Sequence, residues 1–362
     1  MKLDMSFYRG KRVLVTGHTG FKGSWLCRML VLAGAEVTGY ALAAPTEPSM
    51  YELIGSGTWM RSVTGDIRDL QHLSEVFAGS DPEIVFHLAA QPIVRESYSD
   101  PASTYQTNVM GTVNILECCR QSRSVRSVVN VTTDKVYRNN EWCWGYREED
   151  ILDGYDPYSN SKSCSELISR CYRDCFFTSD GKSLISLSTV RAGNVIGGGD
   201  FAADRIIPDC VRAAEANEPI IIRNPASTRP FQHVLDPLYV YLMVAAVQYD
   251  ESRYAGSYNV GPADSGCCRV ADVVQKFAEN WGDSLTAVIK PDNGPHEATM
   301  LRLDCSRLRS VFGWEPCWDI DTSICRTAEW YKAWISGGNP LAVTDEQIKD
   351  YLEDRKNGRL EQ

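Results

Sequence analysis

The chain has 362 residues, 43% hydrophobic, 23% charged and 10% aromatic, values that exclude a disordered or fibrous protein. Its 37 basic and 47 acidic residues give a formal net charge of -10, which argues against a nucleic-acid-binding surface, normally a basic one. The length allows two or three domains, or one large α/β unit with a smaller lobe, and either buries a core without disulfide staples.

Residues 12–16 (RVLVT) form a short β-branched run that stops at a glycine-rich turn. The residues before it lack the apolar core of a signal peptide, so a cytoplasmic protein is expected. The longest apolar run, residues 238–247, is shorter than the ~20 helical residues that cross a bilayer. Residues 25–33 carry helical apolar spacing up to Gly34, and residues 36–42 are extended again. Strand, turn, helix, strand opens a doubly wound parallel sheet. Buried strands are predicted over 83–88 and 127–132, with a helix over 108–120 between them. A helix over 159–177 and a strand over 184–190 continue the alternation, which implies right-handed βαβ units.

After Arg191 the texture changes: Gly197, Gly198 and Gly199 loosen the chain, and Pro208, Pro219, Pro225 and Pro230 punctuate short elements. The expected architecture is α/β, with a Rossmann-like doubly wound domain over 1–190 completed by a segment around 233–262. A smaller mixed α/β lobe over 191–362 would leave the ligand cleft between the two. Thirteen cysteines are present, but they are scattered and form no CxxC pair. Cys118 and Cys119 are adjacent, as are Cys267 and Cys268, while Cys171 and Cys175 are spaced for one helix face. Reduced thiols and no metal site are expected.

Gly17-His18-Thr19-Gly20-Phe21-Lys22-Gly23 matches G-x-x-G-x-x-G between a strand and a helix. Missing side chains permit the sharp turn, the approach of backbone to a pyrophosphate, and tight helix–strand packing. Gly17, Thr19, Gly20, Phe21 and Gly23 are therefore candidate dinucleotide contacts. The acid often found after the second strand is missing from Thr38-Gly39-Tyr40-Ala41-Leu42, which leaves NAD and NADP both open on the residues alone. Asp66 and Ile67 either contact the adenine, or Asp66 caps the next helix. Leu88, Ala89 and Ala90 follow a strand, and their small neighbours let a flat cofactor lie against the backbone. His87 reads as a packed, hydrogen-bonded histidine.

Tyr158 and Lys162 stand four apart at the start of a helix, hence on one face. A lysine beside a phenol lowers its pKa, and the phenolate can take a proton from a sugar hydroxyl. Thr132, Thr133, Asp134 and Lys135 end the preceding strand, and strand ends of an open α/β sheet face the ligand crevice.

The glycine motif with Thr132–Tyr137 (TTDKVY) and Pro157–Lys162 (PYSNSK) resembles the extended short-chain dehydrogenase/reductase family. The group most similar is the nucleotide-sugar 4,6-dehydratases. Lys135 replaces the glutamate of the thymidine-diphosphate branch and is the pattern of the branch acting on CDP-glucose. The segments AAPT (43–46), QPIVR (91–95), RAGNVIGGGD (191–200) and TRPFQHV (228–234) agree, so the likeness runs over nearly the whole chain.

The resemblance implies bound NAD and conversion of CDP-glucose to CDP-4-keto-6-deoxyglucose. It implies Tyr158 and Thr133 at the 4-hydroxyl, Asp134 as the acid at C6, and Lys162 at the nicotinamide ribose. Lys135 either acts as base at C5 or only orients its neighbours. A nucleotide-sugar substrate needs phosphate and polar contacts, for which Arg205, Arg229, Arg302, Asn194 and Gln91 are the candidates. A homodimer or homotetramer is expected, with no nucleic-acid or membrane partner. The competing enzyme reading is a nucleotide-sugar 4-epimerase, which shares the tyrosine and lysine and needs no acid at Asp134. A non-catalytic dinucleotide sensor would be expected to lack Tyr158 or Lys162.

Overall fold

In a computed structural model, residues 2–177, 185–263, 266–282, 285–290 and 300–358 are described. The chain begins with β1 (Arg12–Thr16), β2 (Glu36–Ala41), β3 (Arg61–Thr64), β4 (Ile84–His87), β5 (Ser127–Thr133) and β6 (Ser186–Ala192). The short strands β7 (Asn194–Ile196), β8 (Ile220–Ile222) and β9 (Thr228–His233) follow, then β10 (Ser257–Val260), β11 (Cys267–Arg269) and β12 (Ala287–Ile289). Seven strands form one sheet in the order β10-β6-β5-β4-β1-β2-β3, and every pairing in it is parallel. Strand order reverses direction between β1 and β4, and that reversal opens a crevice at the carboxyl ends of the strands.

The helices of the first half are α1 (Phe21–Leu32), α2 (Met50–Leu53), α3 (Leu70–Ser80), α4 (Val94–Ser99), α5 (Pro101–Tyr105), α6 (Gly111–Gln121) and α7 (Pro157–Tyr172). Those of the second half are α8 (Ile206–Ala216), α9 (Leu235–Asp250), α10 (Val270–Trp281), α11 (Ser306–Phe312), α12 (Ile320–Ile335) and α13 (Pro340–Asn357). The apolar run of residues 238–247 lies inside α9, which packs against β4, β5 and β6 and is buried nearly all round. Burial on every side explains its lack of a polar face. Among the described residues no helix is long and apolar enough to cross a membrane.

The expected strands fall where the β-branched runs are, with small shifts. β6 starts at Ser186 and continues to Ala192, past the predicted end, and Leu184 lies outside the described residues. The predicted helix over 108–120 begins instead at Gly111, after a wide π turn at Gln106–Met110. That turn lets the Asn108 side chain exchange hydrogen bonds with the Gln91 backbone at 2.8 and 3.0 Å, and such bulges recur at functional sites. The helix over 159–177 is α7 followed by a π turn at Arg173–Phe177. It starts two residues early because Pro157 occupies its first position and Asp156 accepts from Ser159 N. Cys171 and Cys175 do share a face, their Sγ atoms 4.0 Å apart.

β3 has no hydrophobic run to announce it: three of its four residues are exposed, as befits a short edge strand. Beyond β6, β9 pairs with β7 in parallel and with β11 antiparallel, and β8 pairs with β12. These small sheets, with α8 and α10, rise over the carboxyl edge of the central sheet and wall the crevice.

Candidate active site

The glycine loop sits at the reversal between β1 and β4, and each glycine is there for a different contact. Gly17 has φ +77, and a Cβ on it would meet Ala89 N at 2.7 Å. A Cβ on Gly23 would stand 2.1 Å from Gly17 O, so the first turn of α1 packs on the loop backbone. Gly20 has only Gly17 O near it, at 3.4 Å, and faces the cleft. No side chain caps α1, so its first-turn N–H groups remain available to an anion. Thr19 Oγ1 donates to Leu42 O at 3.0 Å and fastens the loop to the end of β2. A bare backbone cradle beside an uncapped helix end fits the pyrophosphate of a dinucleotide.

The cleft has a volume of about 1080 Å³, above the roughly 300–1,000 Å³ of ordinary single-ligand pockets. The cofactor candidates Gly17, Thr19, Gly20, Phe21, Gly23, Asp66, Ile67, Leu88, Ala89 and Ala90 all line it. Of the two readings of Asp66, the helix cap belongs to Asp69, which accepts from His72 N at 3.1 Å. Asp66 instead pairs with Arg68 at 2.6 Å, which holds its carboxyl below the usual carboxylate range. His87 lies between Thr16 Oγ1 at 2.7 Å and Thr112 Oγ1 at 3.3 Å. Burial pulls its pKa down to about 3, so it is a neutral packed ring.

β5 delivers the catalytic turn. Thr133 Oγ1 donates to Asp134 Oδ1 at 3.0 Å and also hydrogen-bonds the Tyr158 phenol. Asp134 is 2% exposed, and its Oδ2 has no hydrogen-bond partner among the described residues. Burial raises its pKa above the ordinary aspartate value, opposed by Lys135, the Thr133 hydrogen bond, Arg229 and Lys22. The upward shift moves the carboxyl toward use as a general acid. Lys135 lines the cleft beside it.

Tyr158 corrects an expectation. Its pKa is pushed up to about 12 by burial, with the Thr133 hydrogen bond opposing, whereas the helix spacing suggested lowering by Lys162. The Lys162 ammonium donates instead to Val131 O at 3.1 Å, and burial pulls it down to about 8 while Glu166 draws it up. Desolvation is the largest influence on both groups.

Sequence reasoning passed over the support beneath this turn. Glu166 stands one helical turn beyond Lys162 and accepts from Thr132 Oγ1, from Thr189 Oγ1 at 2.6 Å, and from Arg191 at 2.8 and 2.9 Å. Arg191 continues to the Tyr137 hydroxyl at 2.6 Å and Glu148 O at 3.0 Å. A buried carboxylate so fully bonded ties α7 to β5 and β6 and fixes the catalytic geometry. The available signal was a glutamate four residues beyond Lys162, on the Tyr158 face.

Among the substrate candidates, Asn194, Arg205 and Arg229 line the cleft. Arg205 is paired with Asp200 at 2.8 Å, and Arg229 donates to Thr228 O at 3.1 Å. Gln91 and Arg302 are not brought to the cleft wall. The Gln91 side chain is consumed by its own loop, bonding Ile93 N at 2.5 Å and Thr104 Oγ1 at 3.0 Å. The Arg302 carbonyl accepts from Tyr146 N at 2.9 Å, and its Nε is buried without a hydrogen-bond partner among the described residues. Lys22, also overlooked, lines the cleft from within the glycine loop.

The family model for GDP-mannose 4,6 dehydratase matches residues 14–327. A CDP-glucose 4,6-dehydratase of Salmonella typhimurium is 49% identical over 353 residues, covering 97% of this chain and 98% of the relative. The solved structure of MoeE5 with UDP-glucose and NAD is 26% identical, with a TM-score of 0.73 over 90% of this chain and all of that one. A UDP-glucose 4-epimerase structure from Stenotrophomonas maltophila reaches a TM-score of 0.77 at 23% identity over 91% of this chain and 100% of that one. The shared fold therefore does not separate dehydratase from epimerase, whereas the whole-length sequence match does bear on it. The chain belongs to the GDP-mannose 4,6 dehydratase family, among the extended short-chain dehydrogenase/reductases.

Proposed function

We propose that this protein is an NAD-dependent CDP-glucose 4,6-dehydratase that produces CDP-4-keto-6-deoxyglucose. The observation that carries the reading is Asp134: a buried carboxyl, one oxygen unpartnered among the described residues, one hydrogen bond from the threonine that holds Tyr158. Epimerisation at C4 needs the tyrosine but has no use for an acid at that place.

The glycine loop and Ala89 hold the dinucleotide, with Asp66 and Ile67 at the adenosine end and Lys162 at the nicotinamide ribose. When bound, NAD supplies the hydride acceptor for C4 and the hydride that returns to C6. Burial alone keeps Tyr158 a phenol; the positive nicotinamide ring of bound NAD and the Lys162 ammonium would favour its phenolate, which, steadied by Thr133, takes the proton of the glucose 4-hydroxyl. The ketone at C4 acidifies the C5 hydrogen. Asp134 then protonates the departing C6 hydroxyl, and Lys135 beside it either removes the C5 proton and gives it back after elimination or only orients its neighbours. Passage of the proton gained at Tyr158 to Asp134 through the Thr133 hydroxyl between them restores both groups, so the cycle closes with water as the only loss. Asn194, Arg205 and Arg229 hold the substrate's diphosphate side.

The domain division follows the same logic: residues 1–190 with the 233–262 segment bind the dinucleotide, and the remaining lobe binds the sugar nucleotide. The protein works as a cytoplasmic homodimer or homotetramer. The test is incubation with CDP-glucose, UDP-glucose and dTDP-glucose, reading loss of one water by mass spectrometry. A C4 epimer without loss of water would favour the epimerase reading, and dehydration of another nucleotide's glucose in preference would displace CDP.

A further inference from the structure

Lys22 is a cation with no ion-pair partner among the described residues. It is the second residue of α1, between Gly20 and Gly23, and its side chain enters the cleft. Its single hydrogen bond among the described residues is a long one, 3.5 Å to the Tyr241 hydroxyl on α9. Among those residues no carboxylate lies within ion-pair distance of it. The neighbouring cations are differently placed: Lys162 is bonded to Val131 O, and Arg205 is paired with Asp200. The charged groups facing Lys22 are Arg205 and Asp200 from the segment before α8, Asp134 after β5, and Lys162 from α7. Burial, then repulsion by Arg205 and Lys162, pulls the amine down to about 8.

An enclosed ammonium with no ion-pair partner among the described residues is unfavourable until an anion arrives. The same space receives the uncapped N–H groups of α1, which select phosphate. Both ligands of the proposed reaction carry a diphosphate. We propose that Lys22 is a diphosphate-binding residue of this cleft, its ammonium completing an ion pair only when the dinucleotide or the sugar nucleotide is bound. The inference rests on the nucleotide-sugar reading above and adds to it a specific anchoring residue. The linkage has a definite sign. The unliganded amine loses its proton as pH rises through about 8, while the complex retains it, so the lysine's contribution to affinity is present at neutral pH and fades above that value.

The experiment uses full-length protein freed of nucleotide, titrated with NAD and separately with CDP by calorimetry, at about pH 7 and about pH 9.5. At neutral pH, Lys22→Met should bind one of the two roughly ten- to hundredfold more weakly, the loss of one charge-assisted contact. The ligand that suffers identifies the source of the diphosphate. The deficit should shrink at the higher pH, and Lys22→Arg should keep neutral-pH affinity. Lys162 titrates in the same range but is common to both proteins, so it cancels in their ratio. Without ligand, Lys22→Met should melt no lower than the wild type, because the uncompensated cation is gone. Wild-type affinity for both ligands in Lys22→Met would overturn the inference, as would a deficit that ignores pH or a Lys22→Arg variant equally weak. Wild-type protein that binds neither ligand would instead overturn the functional reading and this inference with it.

Discussion

Asparagine at position 134 would keep the shape of the catalytic turn and remove only its proton. Thr133 Oγ1 donates to Asp134 Oδ1 at 3.0 Å, and an amide oxygen accepts that bond equally well. The other carboxyl oxygen has no hydrogen-bond partner among the described residues, so an amide NH₂ there breaks no hydrogen bond among them. Tyr158 and its hydrogen bond to Thr133 are untouched, and oxidation at C4 should proceed. Elimination should slow by roughly 10²–10⁴, the usual worth of a general acid, or about 3–5 kcal/mol of barrier. Reduced nicotinamide should therefore accumulate in a single turnover and be visible by its near-ultraviolet absorbance in stopped flow, where wild type shows little. The stability sign is also set. Burial raises the Asp134 pKa, so its ionised form is disfavoured in the folded state above that pKa, and the Asp134→Asn variant should melt at or above the wild-type temperature near neutrality. Lys135→Ala belongs beside it: the same accumulation would support removal of the C5 proton, and lost binding alone would indicate positioning. An Asp134→Asn enzyme making the 4-keto-6-deoxy product at the wild-type rate would refute the acid role.

Tyr158→Phe and Lys162→Met should each lose roughly 10²–10⁴ in turnover while keeping the wild-type circular dichroism spectrum; a rate near wild type in either would remove that residue from the chemistry. Gly23→Ala places a Cβ 2.1 Å from Gly17 O, and backbone cannot give way cheaply, so dinucleotide binding by calorimetry should disappear with about 1–3 kcal/mol of stability. Unimpaired NAD affinity there would contradict the packing role assigned to Gly23. Burial lowers His87 and His233 to about 3 and His18 to about 4, so all three stay neutral in the folded state while the unfolded chain takes up protons below about pH 6.5. Stability should fall on acidification, at up to about 1.4 kcal/mol per pH unit for each histidine. Urea midpoints unchanged between about pH 7 and 5 would show that these rings are solvated.

The parts legible from sequence are those whose signal is local. β1 announced itself through RVLVT, because a strand buried on both faces must be apolar throughout. The glycine loop and the Tyr158–Lys162 pair are periodic features within one turn and one helix. The edge strand β3, exposed on three of four residues, carried no such pattern and stayed hidden. Asp66 and Asp69 both offer a carboxylate near the start of α3, and only the folded backbone decides that Asp69 is the cap.

What tertiary structure alone decided is the partnership and charge of the polar groups. Gln91 and Arg302 have the right chemistry for a substrate, yet Gln91 is spent on Ile93 and Thr104, and Arg302 stands outside the cleft. Tyr158 and Lys162 share a helix face as their spacing requires, but the phenol sits near 12 and the amine near 8 because desolvation acts on both. Glu166 and Arg191, from α7 and β6, meet only after the sheet forms. Sequence period places side chains on a face. The energy of a buried charge depends on which groups distant in the chain surround it, and that is a property of the assembled fold.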